Sequence, residues 1–164
     1  MKLYVLHVQS MKEEDVLKCL LNRGFRAYVP KEIRLERRGG KWHQVERIII
    51  TGYVFVEIEL TTENYYSVKA IPGIIRFLGV EIPEALKENE EAYIRWLSND
   101  GEALLPSDVQ INEGNKVAVL SGALKGHEGR IISIDKRQKR ATVGIELMGQ
   151  WKEIVLSVNV IKKL

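Results

Sequence analysis

Apolar and polar residues alternate from Leu3 to Gln9 with the period of a strand. Ser10 stands three residues ahead of Glu13, the spacing of a capping box. Val16, Leu17, Leu20 and Leu21 then share one helical face, which Gly24 closes. A second strand is expected over 25–29. From Ile33 to Arg47 the chain is strongly basic, and Gly39-Gly40 at its centre reads as a hairpin tip. Beyond Thr51-Gly52 the alternation is clean. Val54, Val56, Ile58 and Leu60 fall on one face, and Tyr53, Phe55, Glu57 and Glu59 on the other, which predicts a partly covered sheet surface. Thr61-Thr62 can cap a short helix towards Ala70, and Ile71 before Pro72 ends it. Ile74 to Leu78 is a further strand. Pro83 opens a second long helix with a stripe of Leu86, Glu90, Tyr93, Ile94 and Leu97, and Ser98 to Gly101 ends it.

From Lys116 the character changes. Short apolar stretches at 116–120, 129–134, 141–147, 152–156 and 158–161 are broken by Gly, Ser, Asp and basic turns. Several strands without helical periodicity predict a small barrel or sandwich. The pattern therefore divides the chain into an α/β part over 1–100, a linker over 101–112 and a small β part over 113–164.

A length of 164 residues suits two small domains. The formal charge of +3 hides a split. Residues 1–105 hold 15 Lys and Arg against 16 Asp and Glu, a net of −1, whereas residues 106–164 hold 10 against 6, a net of +4. The basic excess in the last third points to a polyanionic partner there. Cys19 is the only cysteine, so the chain has no internal disulfide, and a reducing compartment fits. The first residues run straight into the strand pattern without the apolar stretch of a signal peptide. No segment approaches the roughly 18 apolar residues of a membrane helix. A cytoplasmic chain with no membrane partner is expected.

The sequence gives catalysis little to work with. It has no phosphate-binding loop and no dinucleotide fingerprint. His7, His43 and His127 lie far apart, so neither a metal site nor a cofactor is expected. Ser10 and Ser121 lack the context of a nucleophile, and Cys19 reads as a half-buried apolar residue. The expectation is that the chain is not an enzyme and has no catalytic residues.

The stretch Gly114-Asn115-Lys116-Val117-Ala118-Val119, followed by Gly122 to Ile131 and Ile134-Asp135, looks like a KOW motif. Val117 and Val119 would face inward, Gly122 and Gly129 would make turns, and Ile131 and Ile132 would resume the core. Upstream, Leu3-Tyr4-Val5-Leu6, Tyr28-Val29-Pro30, Glu46-Arg47 through Thr51-Gly52-Tyr53-Val54-Phe55-Val56, and Val68 to Gly79 resemble, in order, the N-terminal domain of NusG-family transcription elongation factors. The resemblance implies an α+β fold. Its N-terminal (NGN) domain has an antiparallel sheet with helices, and a small SH3-like β-barrel, the KOW domain, follows. It implies docking on the clamp helices of RNA polymerase, with Tyr4, Ile50, Tyr53 and Phe77 as the matching positions. The hairpin residues Arg34, Arg37, Arg38, Lys41, Trp42 and His43 would lie near upstream or non-template DNA, where Trp42 or His43 could stack on a base.

Two positions depart from the family pattern. Thr51 stands where proline is usual. The barrel loop, Leu124-Lys125-Gly126-His127-Glu128, is polar where housekeeping members carry aromatic residues that dock ribosomal protein S10 or the termination factor Rho. The chain thus looks similar to specialised paralogues of the LoaP and RfaH kind, and above all to the LoaP kind, which uses its barrel on RNA. Lys125, His127 and Arg130 on one turn, and Lys136, Arg137, Gln138, Lys139 and Arg140 on the next, would bind RNA as one patch if both tips face the same end of the barrel. The expected function is processive antitermination by a monomer that binds polymerase and a nascent RNA hairpin. Two alternatives stay open: a general factor whose barrel docks Rho or ribosomal protein S10, and a ribosome-associated RNA-binding protein. The β-formers Val117, Val119, Ile131, Ile132, Val143 and Ile145 argue against a helical alternative for the barrel.

Overall fold

The computed structural model describes residues 1–114 and 116–161. Asn115 of the KOW-like stretch and residues 162–164, the end of the expected barrel, lie outside the described residues. In chain order the elements are β1 (Lys2–Val8), α1 (Glu13–Asn22), β2 (Arg26–Tyr28), β3 (Lys31–Arg38), β4 (Lys41–Ile48), β5 (Tyr53–Ile58), α2 (Thr62–Lys69), β6 (Ile74–Phe77), α3 (Glu88–Ser98), β7 (Ser107–Ile111), β8 (Val117–Ser121), β9 (Ile131–Asp135), β10 (Arg140–Leu147) and β11 (Gln150–Val160). They fall into two compact units. One comprises Met1–Pro30 and Ile50–Gly101, the other Lys31–Ile49 and Glu102–Leu164.

In the first unit the sheet order is β2-β5-β1-β6, with every pairing antiparallel. Val54, Phe55 and Val56 are consecutive and all buried, so both faces of the sheet are covered at its centre. On the second face Phe55 is buried, Tyr53 and Glu57 are half-buried and Glu59 is exposed, which is the partly covered surface expected. Three acidic residues, Glu13, Glu14 and Asp15, sit in the first turn of α1, where the helix dipole favours them. Its cap is Lys12, with no side-chain capping bond; Ser10 lies too far upstream to cap this helix. Thr61 does cap α2, accepting a hydrogen bond from the Asn64 amide at 3.1 Å. Helix α3 begins only at Glu88, where Glu90 reaches back to the Lys87 amide at 3.0 Å, so Pro83 lies ahead of it.

In the second unit a curled five-stranded sheet runs β8-β7-β11-β10-β9 around Val109, Val119, Ala141, Val143, Ile145, Leu156 and Val158. The stretch read as a linker contributes β7, which pairs with β8 and, in parallel, with β11. Its polar residues masked the alternation: Ser107 and Val109 are the inward pair. Ile132, expected in the core, is half exposed.

The β3–β4 hairpin belongs to this second unit. Its Gly39-Gly40 tip has φ of 56° and 76°, both in the left-handed region that a type I′ turn requires. Its base is stitched to the barrel chain. The Ile33 amide donates to Leu104 O at 2.7 Å, and the Leu104 amide to Lys31 O at 2.8 Å. The Leu35 amide donates to Ser157 Oγ at 3.0 Å, and the Ser157 amide to Glu32 Oε1 at 2.7 Å.

Gly122 carries the steric demand of the motif. Its φ is +100°, and a Cβ there would lie 2.7 Å from Ser107 Cα. Gly122→Ala is expected to destabilise the chain by about 3 kcal/mol, from backbone strain plus overlap. Gly126, with positive φ but open space around it, should tolerate alanine at about 1 kcal/mol. Urea melts of the two variants check the contrast.

Candidate functional site

The turn between β9 and β10 is built by local bonds. Asp135 Oδ1 accepts from the Gln138 amide at 3.0 Å, Lys139 adopts a left-handed φ of 57°, and Lys139 O accepts from the Val158 amide at 3.0 Å. The hairpin register pairs Leu35 with Gln44 and Arg37 with Trp42, so Leu35, Arg37 and Trp42 share one face. These two pieces meet. Lys139 Nζ sits 4.5 Å from the centre of the Trp42 ring, and Arg37 Cζ 5.9 Å, both within cation–π range. Leu35, Arg37, Trp42, Arg137, Gln138 and Arg140 line a cleft of about 590 Å³.

The other hairpin cations are differently placed. Arg34 is committed to Glu32, with Nη2 to Oε2 at 2.7 Å. Arg38 and Arg47 both bind Glu36, with Arg47 making two bonds at 2.8 and 2.9 Å. Arg38, Lys41 and His43 lie on the face away from Trp42 by register, so the six expected DNA-facing residues do not form one surface. The Arg47 bonds, with Arg38, lower the Glu36 carboxyl from the ordinary 4.5 to about 2. A depressed folded value means stability that is fully present above pH 4.5 and lost as pH falls towards 2. Glu36→Gln is expected to cost about 1 kcal/mol at neutral pH, because solvent screens the pair. It should also flatten the loss of stability below pH 4.5, as read by melts across an acid series.

The 125–130 loop behaves as a separate site. Leu124, the one aliphatic residue of the 124–128 loop, is fully buried, and its amide donates to Ser107 Oγ at 3.1 Å. Lys125 is exposed. Arg130 Nε donates to His127 Nδ1 at 3.4 Å. Burial, and then the Arg130 charge, lower the His127 pKa and favour its neutral form. The loop leads into β9 and the Lys136 turn leads out of it. The two tips are therefore separated by a five-residue strand, about 16 Å. The shared tip expected from the sequence is not formed; the Lys136–Arg140 turn has the β3–β4 hairpin as its neighbour instead.

The polymerase candidates also divide. Tyr4 pairs with Val56 and His7 with Tyr53, so Tyr4 and Tyr53 lie on opposite faces of the sheet. Tyr4 packs edge-on against Phe77 at 6.2 Å, and Phe77, nearly buried, stacks on Tyr65 at 5.4 Å. Ile50 is buried. Tyr53 is half exposed, with His7 tilted beside it at 5.8 Å and Arg76 next in the same row. Among the described residues no cluster of His, Cys, Asp or Glu could hold a metal ion, and no helix is long and apolar enough to cross a membrane.

A family model described as "Transcription termination factor nusG" matches residues 1–95, more than half of the chain. The chain belongs to the NusG family. Full-length relatives agree. It is 29% identical to the transcription termination/antitermination protein NusG of Rickettsia prowazekii, over 98% of this chain and 88% of that one. The NusG protein of Halalkalibacterium halodurans is also 29% identical, over 98% and 97%. A solved structure, described as domain interaction in Thermotoga maritima NusG, covers 96% of this chain and 93% of that one, with TM-score 0.53 at 22% identity, and shares the fold. The chain is thus a NusG-type transcription termination/antitermination factor with the α+β architecture of that family.

Within this NusG-family chain the true grouping sharpens the charge split. The unit holding the hairpin and the barrel has 16 Lys and Arg against 10 Asp and Glu, a net of +6; the other has 9 against 12, a net of −3. Leu35 and the meeting of Trp42 with Lys139 were invisible in the sequence, because they depend on contacts about a hundred residues apart. Trp151 was also missed. It is 62% exposed and lies across Gly144, where any Cβ would run into its ring. A glycine alternating into a strand was the available signal.

Proposed function

We propose that this chain is a specialised antitermination factor of the NusG family, docking on RNA polymerase through its first unit and contacting nascent RNA through its second. The observation that carries the reading is the basic cleft at Trp42. It unites hairpin and barrel cations in a unit of net charge +6, while the 124–128 loop displays no apolar side chain because its one aliphatic residue, Leu124, is buried. Phosphates bound there would release counterions and make binding strongly salt-dependent. The row Tyr53, His7 and Arg76 is the proposed polymerase-facing surface, since it joins a half-exposed aromatic to a sheet end. Arg38, Lys41 and His43 on the far face of the hairpin are the proposed contacts to upstream or non-template DNA.

A second reading, a general factor whose barrel docks ribosomal protein S10 or Rho, draws on the exposed Trp151 and Ile132. The test is capture by the full chain. Co-purification with polymerase, together with salt-sensitive binding of leader hairpin RNA, supports the first reading. Retention of S10 or Rho without RNA binding supports the second. Co-sedimentation with ribosomal subunits, without polymerase, overturns both.

A further inference from the structure

We propose that the cleft between the β3–β4 hairpin and the β9–β10 turn takes one unpaired nucleotide, its base on the Trp42 ring and its phosphate among Arg37, Arg137 and Arg140. This rests on the nucleic-acid reading above and adds that the cleft takes single strands and not duplex. Four observations carry it. The cleft volume of about 590 Å³ lies in the range of sites for small molecules, about 300–1,000 Å³. Its lining holds three arginines and no carboxylate. Arg140 Nε is buried with no hydrogen-bond partner among the described residues, so it is a donor in want of an acceptor. The indole is held at the wall with a cation 4.5 Å from its centre, an arrangement in which the Lys139 ammonium marks where a π-system or cation is accommodated. A base arriving on that ring moves Lys139 from the indole to a neighbouring phosphate. Bases inside a duplex offer no free face to an indole, whereas loops and single strands do. Gln138 at the rim has both a donor and an acceptor for a base edge.

The test uses the full chain with a short labelled uridine strand, its deoxy counterpart and a short RNA duplex, followed by fluorescence anisotropy. Trp42→Ala is expected to weaken single-strand binding about 10-fold or more and to leave duplex binding within about 2-fold, with Trp42→Phe retaining most of the affinity. Loss confined to the ribose strand assigns the cleft to RNA; equal loss with the deoxy strand assigns it to unpaired nucleotides of either sugar. A chain carrying Trp96→Phe and Trp151→Phe keeps Trp42 as its only indole. Its emission should be quenched by the single strand and not by the duplex, which tests the site without removing the ring. If the natural chain binds no nucleic acid, the nucleic-acid reading itself falls. If it binds both probes, and neither Trp42→Ala nor the quenching separates them, only the cleft assignment falls.

Discussion

Glu32→Ala is expected to destabilise the chain by about 4 kcal/mol, the largest effect of any single substitution considered. Glu32 is 1% exposed. One carboxylate oxygen accepts from the Ser157 amide at 2.7 Å; the other accepts from Arg34 Nη2 at 2.7 Å and Nε at 3.0 Å. Removing the carboxylate strands a buried amide and a guanidinium that is itself largely buried. It also cuts the tie between strands 125 residues apart in sequence, which seats Leu35, and with it Trp42, against the barrel. Glu32→Gln keeps an acceptor for Ser157 but loses the charge on Arg34, so about half the cost is expected. Urea unfolding followed by circular dichroism gives the energies, and hydrogen exchange at the Leu35 amide shows whether the hairpin opens. A loss below about 1 kcal/mol for alanine would mean that the clamp contributes little.

Reversing Lys136, Arg137, Lys139 and Arg140 to glutamate is expected to lower RNA affinity at least 100-fold at moderate salt. The slope of log affinity against log salt should fall by about one per lost phosphate contact. These residues form the turn beside Trp42; Lys136 and Arg137 are exposed and Lys139 and Arg140 half-buried, so a urea melt of the variant alongside separates loss of charge from loss of fold. Polymerase capture should not change, because no residue of the first unit is altered. Anisotropy with leader RNA over a salt series measures both quantities. An unchanged affinity would remove this turn from any RNA surface and leave the 125–130 loop as the remaining basic site.

Much of the fold could be read locally because its signals are local. The alternation through β5, the Thr61 cap and the Gly39-Gly40 tip each depend on neighbours within a few residues. The Ser10 cap failed because spacing alone does not say where helical dihedrals begin; Lys12, two residues later, takes the position. Strand β7 was hidden because its inward residues are Ser107 and Val109, and a buried serine that accepts the Leu124 amide looks polar in sequence. The candidate residues were mostly identified by type, but their grouping was not. Tyr4 and Tyr53 separate by strand register, which only pairing reveals. Arg137 and Arg140, first grouped with Lys125, turn out to share a cleft with Arg37 and Trp42, because Ser157 and Glu32 bring the hairpin to the barrel.

Transcription by purified RNA polymerase across an intrinsic terminator, on templates with and without a leader hairpin upstream, tests the central claim most directly. Added full-length chain should raise read-through on the template that encodes the hairpin and leave the hairpin-free template unchanged, and the four-fold charge reversal should abolish the gain. Equal read-through on both templates, or termination enhanced on both, would contradict a factor recruited by RNA.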